Sequence, residues 1–398
     1  MNRPKMRIFF LMFLASLAVS ESAIAQTEYE FDAELTVVGA VSDEDSAPTD
    51  TENLMGELSA SGSASRVLEN GVEVTGNITL RVQSDHPSRP GFAGSVLTCP
   101  PTISNCPSLQ GNGVRGAFSR LSNLPFTDDV GPRGSIERAY IEIDGGWGAL
   151  TLGKDAGVGA RFYEGGPSVF ALARGNDPIL DPTGMNAIRL RNDISSSAAK
   201  VSYVTPRILG VRGGVSYTPD ASVRALDLDT QLTAAGLLEP ELDDAMEIGL
   251  QAYHFFRSAD LRVRGSLTWS QANSASPFYD DTQTTSFGFE IEKRDVYRVG
   301  ASTLTSSNGG NGDYDSLQAG GEFYVGEWRL GANAARAEDD TIQYVMSSIT
   351  VGASHEINDH VDMTIGYRAS EGQFGAFIPG AENEFAADTV LLEFRIRK

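Results

Sequence analysis

The stretch DLRVRGSLTW (260–269) decides how this chain is read. Leu261, Val263, Gly265, Leu267 and Trp269 form one alternating set, and Arg262, Arg264, Ser266 and Thr268 the other. Successive side chains of a strand point to opposite faces, so a period of two predicts a strand with one apolar and one polar side. In a soluble sandwich the polar face would meet bulk water. In a membrane barrel the apolar face would meet lipid and the polar face would line a lumen. The choice between these environments depends on the remainder of the chain.

Segments of this kind recur from Glu28 onward. We read sixteen, at 28–39, 55–66, 72–84, 135–143, 147–154, 198–205, 208–218, 245–257, 259–271, 284–292, 295–304, 315–325, 328–337, 344–355, 361–369 and 387–397. Every second connection is tight: ENG (69–71), DGG (144–146), PR (206–207), SA (258–259), KRD (293–295), GE (326–327) and NDH (358–360). Asn-Gly and Asp-Gly supply the positive φ that two-residue hairpins need. The intervening connections are longer and rich in Gly, Asp, Asn, Ser and Pro: 40–54, 85–134, 155–197, 219–244, 272–283, 305–314, 338–343 and 370–386. Short turns at one rim and long loops at the other are the pattern of outer-membrane barrels. A soluble sandwich has no reason to sort its loops by length.

Charge follows the same parity. In 72–83, Val72, Val74, Gly76, Ile78, Leu80 and Val82 oppose Glu73, Thr75, Asn77, Thr79, Arg81 and Gln83. Near the C-terminus Val390, Leu392, Phe394 and Ile396 oppose Leu391, Glu393 and Arg395. A Lys or Arg on the lipid face at the midplane costs about 2–4 kcal/mol, which accounts for their absence from the apolar set. Tyr253, Trp269, Tyr297, Trp328 and Tyr367 lie near segment ends, where interfacial aromatic girdles sit. The expected fold is all-β: a sixteen-stranded antiparallel transmembrane β-barrel over 26–398, wide enough to hold water.

Other features bound the function. Residues 1–25 read as a secretory signal, with Arg3, Lys5 and Arg7 before an apolar run (8–19) and an Ala23-Ile24-Ala25 cleavage site. That run falls short of the roughly 20 residues a spanning helix needs, so a membrane location requires a closed barrel. The net charge of −22 argues against nucleic acid, whose phosphates demand a basic face. Cys99 and Cys106, among Pro100, Pro101 and Pro107, either bridge locally in an oxidising compartment or stay free thiols. The stretch around them has no histidine to complete a metal site. His86, His254, His355 and His360 show no spacing suggestive of a nucleophile–base pair, and GVGARF (157–162) lacks the third Gly of a dinucleotide fingerprint. Neither an enzyme nor a cofactor is expected.

Two hairpins carry a family resemblance. SIERAYIEIDGGWGALTLGKD (135–155) is similar to the hairpin that leads into the third loop of trimeric general porins of Gram-negative outer membranes, and RNDISSSAAKVSYVTPRILGVRGGVSY (191–217) to the one that leaves it. The order of elements matches over essentially the whole mature length. Two departures are FYEGGPSVFALARGNDP (162–178), which lacks the family's acidic-Phe-Gly signature, and the ending FRIRK, where the family usually ends on an aromatic.

The resemblance implies a homotrimer in outer-membrane lipid, with a channel for ions and small hydrophilic solutes. It also implies a third loop folded inward, its acids facing basic residues on the wall. Here Glu164, Asp177 and Asp181, with Asp155, can supply the acidic side. Arg81, Arg138, Lys200 and Arg212 are the favoured basic wall; Lys154, Arg262, Arg264, Arg298, Arg329, Arg368 and Arg395 share the inward parity. Opposed charges across a narrow gap order water and set ion preference. For any one wall arginine the alternative is an ordinary pairing with an inward acid such as Glu73, Glu142, Glu247 or Glu322. Rival functions are a substrate-selective channel and a structural or adhesive barrel. The loop 85–134 would be the latter's contact surface, or a latch onto a neighbouring subunit.

Overall fold

Lipid offers no hydrogen-bond partners, so a strand that faces it has to be paired on both sides. The computed structural model meets that demand with sixteen strands closed into one antiparallel barrel. They are β1 (Glu28–Asp45), β2 (Leu54–Val67), β3 (Glu73–Ser84), β4 (Arg133–Gly145), β5 (Gly148–Lys154), β6 (Ala199–Val204), β7 (Val211–Asp220), β8 (Leu242–Phe256), β9 (Leu261–Ser274), β10 (Thr282–Lys293), β11 (Tyr297–Ser306), β12 (Tyr314–Val325), β13 (Trp328–Asp339), β14 (Tyr344–Asn358), β15 (Val361–Gln373) and β16 (Glu384–Arg397). The structure describes residues 27–45, 52–86, 113–121, 131–223, 225–226, 237–373 and 384–398. The expected signal segment, Cys99 and Cys106 lie outside the described residues. Closure comes from β1 against β16, with Leu35 opposite Ile396 and Val41 opposite Val390.

Every alternating segment is a strand, and several run past the alternation on the long-loop side: β1 continues to Asp45 and β16 starts at Glu384. On β9 the apolar set faces out, with Leu267 exposed, while Thr268 is buried inside with its hydroxyl 2.8 Å from that of Ser286. Register corrects two single-residue expectations. Tyr253 shares its face with Gln251 and lies opposite Arg264, so it points inward under the Arg207 guanidinium, 5.5 Å from its ring, and is no part of an outer girdle. Lys154 ends β5 opposite Ala139 and Ala199, on the outer face with Leu152. A bulge helps β4: Leu80 pairs Ile136 but Thr79 pairs Arg138, so Ile136 stays outside while Glu137 and Arg138 both turn inward.

The turn expected at Pro206–Arg207 sits further on. The chain reverses at Leu209 and Gly210, with φ of 52° and 88°, closed by Ile208 and Val211. Positive φ at both central positions matches the twist of the flanking strands. Glycine adopts it freely; leucine does not.

The third long connection, residues 155–198 (L3 below), folds into the lumen and follows the inner wall. Its one helical turn, α1 (Val158–Arg161), lets Val158 and Phe162 pack on Gly214 of β7 and Gly249 of β8. At Gly300 and Gly320 the L3 backbone takes the room of a side chain: a Cβ there would stand 2.6 Å from the carbonyl oxygens of Gly165 and Pro167. Val169 then fills the space at Gly331 and Gly352, and Phe170 that at Gly366. The loop tip packs Phe170, Leu172 and Leu180 against Val38, Met55 and Leu391 of β1, β2 and β16. The returning limb buries Met185, Ile188, Leu190 and Ile194 with Tyr314, Tyr344 and Met346.

Two outcomes follow from this packing. In Gly288→Ala the new methyl meets the Glu164 carbonyl, an overpacking that costs about 1–3 kcal/mol. Trypsin should then cut the folded barrel faster at the L3 sites Arg161, Arg174 and Arg191; unchanged cleavage would mean the glycines do not seat the loop. Leu209 is 99% exposed, so Leu209→Gly loses no packing and relieves strain worth about 1 kcal/mol, and urea unfolding should slow. Unaltered unfolding would count against the turn geometry.

Candidate functional site

Wall side chains hold L3 by its backbone. The Glu247 carboxylate on β8 binds both limbs, accepting the Gly159 N–H at 2.7 Å and the Ser195 hydroxyl. Glu393 on β16 accepts the N–H groups of Ala171, Leu172 and Ala173 at 2.6, 3.0 and 3.0 Å. Hydrogen bonds to a charged group are worth about 1.5–3 kcal/mol each, and losing such a partner strands buried donors. On the returning limb the Tyr344 hydroxyl donates to the Met185 carbonyl at 2.5 Å, and Tyr314 accepts the Arg189 N–H at 2.7 Å. Asn192 accepts from the Ser270 hydroxyl at 2.7 Å.

The expected eyelet residues separate into different settings. Lys200 is buried at the neck of L3, where its ammonium donates to the carbonyls of Asp155 and, at 2.6 Å, Ser196. Asp181 is fully buried against Arg368 at the far turn, where it also accepts the Thr183 hydroxyl at 3.0 Å and the Asn186 N–H at 2.8 Å. Both were expected to line the eyelet, but neither faces water. Arg212 donates to Gln251 at 2.8 Å and lies 5.1 Å over the Phe162 ring. Gln251 in turn donates to Glu164 at 2.7 Å, so the structure brings this wall arginine and this loop acid together through an amide. Arg264 on β9 stands 3.9 Å from Glu164 and also contacts Glu290 and Glu292. Asp177 pairs with Arg191 of its own loop at 3.0 Å. Arg81 is 2.5 Å from Glu57 and 3.9 Å from Glu137. Arg138 keeps 54% of its side-chain exposure, 3.5 Å from Asp155.

Burial shows which side stays open. Inner side chains under L3 such as Thr284, Gln318, Asn333 and Thr350 are buried, whereas Ser59, Ser61, Thr75, Asn77, Tyr140 and Glu142 on β2–β4 keep part of their surface. The partly uncovered stretch of the inner wall therefore lies along β2–β4. Arg138 and Glu142 stand there on the wall, with Arg161 of L3 3.7 Å from Glu142 and 3.8 Å from Asp155. Arg161 lies in GVGARF, which gave no chemical signal in sequence. Glu247 and Glu393 were visible only as inward acids.

The filled side is capped by part of the loop between β3 and β4. Phe118 and Leu121 join the apolar cluster of the returning limb. Phe118 and Ser119 donate their N–H groups to Asn308 at 2.9 and 3.0 Å. The Tyr279 hydroxyl accepts the Arg115 N–H at 3.1 Å and donates to the Leu238 carbonyl at 2.6 Å; burial pushes its phenol up, so it keeps that proton. Arg115 and Arg120 lie 3.5 and 3.3 Å from Glu239. The described residues 113–121 of this loop line the interior.

Known proteins of this architecture share the arrangement of strands. The chain is similar to an anion-selective porin from Comamonas acidovorans (14% identity, TM-score 0.54, 94% of this chain and 100% of that one). It is also similar to the outer membrane channel DcaP of Acinetobacter baumannii (10%, 0.56, 95% and 99%). The trimer form of OmpT, an outer membrane protein of Vibrio cholerae, matches at 11% and 0.53 over 94% and 99%. No curated protein matches the chain in sequence. The family described as Gram-negative porin matches residues 11–374, and with nearly the whole barrel inside that match the chain belongs to this family.

Proposed function

We propose that the eyelet of this porin is the gap between the β2–β5 wall and L3, with Arg81, Arg138 and Glu142 on the wall and Asp155 and Arg161 on the loop. The porin forms a water-filled channel in the outer membrane for passive diffusion of ions and small hydrophilic solutes. The observation that carries the eyelet assignment is the contrast in burial between the two halves of the inner wall. Solutes pass where inner side chains keep their surface, and there Arg138 and Arg161 set positive charge beside Glu142 and Asp155. Mixed charge in a narrow gap favours polar solutes over apolar ones. Glu164, with Arg212 and Arg264, forms a second charged group at the wall under L3, and Asp177 stays with its Arg191 partner. We read the barrel as one subunit of a homotrimer, a state supported by the trimer form of the Vibrio protein.

Protein refolded into a planar bilayer should conduct in steps grouped by three; a barrel without conductance would sink the channel reading, and single steps would remove the trimer. A unit charge about 4 Å from an ion is worth about 1 kcal/mol in water, so Arg81→Gln with Arg138→Gln should raise the cation-to-anion permeability ratio several-fold. Unchanged reversal potentials in a salt gradient would take both residues out of the eyelet.

A further inference from the structure

Below the tip of L3 lies a cavity of about 220 Å³ between the loop and the wall of β13, β15, β16 and β1. Arg174 of the loop and Arg329 and Arg395 of the wall line it, together with Glu34, Asp362 and Glu393. All three carboxylates are already committed. Glu34 accepts from Arg395 at 2.7 Å, Asp362 pairs with Arg397 at 3.0 Å, and Glu393 holds the three loop N–H groups.

The cations are not matched in the same way. Arg329 donates to a neutral partner, the Ser354 hydroxyl, at 3.0 Å. Arg174 gives its Nε–H to the Ala171 carbonyl of its own loop at 2.7 Å. Among the described residues neither guanidinium has a carboxylate within ion-pair distance. Each presents a planar fork of N–H donors, the geometry that suits two carboxylate oxygens at once. The cavity also has an apolar side, since Val169, Phe170 and Leu172 line it. That volume has room for several waters. Glu34 and Arg395 keep 32% and 31% of their side-chain surface, so the site communicates with water on the side of the short turns.

We propose that this cavity binds a small monocarboxylate with a short alkyl tail, its carboxylate on Arg329 and Arg174 and its tail against Phe170 and Leu172. The inference deepens the porin reading by giving the short-turn side of the channel a solute class, and it rests on that reading for the solute's route to the site. Sodium butyrate is the probe, titrated calorimetrically into the full-length refolded protein. Wild type and Arg262→Gln, which removes an arginine paired with Glu292 outside the cavity, should bind it alike. Arg329→Gln and Arg174→Gln should each weaken binding by about tenfold or more, the loss of one charge-assisted contact. Absence of binding to wild type, equal affinity in Arg329→Gln, or displacement of butyrate by an equal concentration of chloride would each overturn the site. Conductance of the same preparations in potassium chloride separates the two readings. A barrel that binds butyrate without conducting keeps the site and loses the porin route; one that conducts without binding keeps the porin and loses the site.

Discussion

Pairing of β1 with β16 is the contact on which the rest of the molecule depends. An open sheet would leave two edges of backbone donors and acceptors in lipid, at several kcal/mol for each unsatisfied group. Closure also sets register, and register sets facing. With Thr36 opposite Arg395 and Val37 opposite Phe394, the inner residues of the seam are polar except Val38, Ala40, Leu391 and Ala387, and the L3 tip covers Val38 and Leu391. A slip by one residue would turn Arg395 and Glu393 toward lipid. Glu393 can reach the N–H groups of L3 only because β16 has been brought round to close the barrel.

The position of L3 follows from strand length. β5 and β6 have 7 and 6 residues, against 14 in β9, so the loop leaves the wall part-way up and is already inside when it starts. From there it needs a surface to lie on. Inner glycines on successive strands leave a shallow trough for the outgoing limb, and Glu247 ties that limb to the returning one. The trough and the ties occupy the β7–β16 side, which leaves inner side chains of β2–β4 partly uncovered.

How much of this was legible in the sequence depends on the range of the interaction. Period-two alternation and loop length are local, and they gave all sixteen strands and the outward and inward sets of β3, β9 and β16. Tyr253 was misread because its closeness to a segment end suggested an interface, whereas its parity with Gln251 pointed inward all along. The site was harder. Glu393 and the N–H groups it binds are more than 200 positions apart, and no pattern along a strand says what its inner face touches. Asp181 and Arg368 were both visible as charges of the right sign; that they meet in a fully buried pair, away from water, depends on the path of the loop. Arg264 was set aside because β9 is distant in sequence from L3, yet the loop travels round the wall to it.

A polar inner face is usually taken as the mark of a wet lumen, and in half of this barrel that inference gives the right residues for a different reason. On β8–β14 most inward Ser, Thr, Asn and Gln side chains, with Glu247, Glu290 and Glu322, are buried under protein. A loop packed inside a barrel has no ladder of its own, and its N–H and C=O groups still need partners. Ser216 accepts the Val158 N–H at 2.9 Å, and Ser316 donates to the Arg189 carbonyl at 2.5 Å. The polar wall stands in for the missing strand, and an apolar one would leave that backbone unsatisfied. Sequence polarity therefore marks where water or loop backbone will be met, and only the burial of the inner side chains tells the two apart.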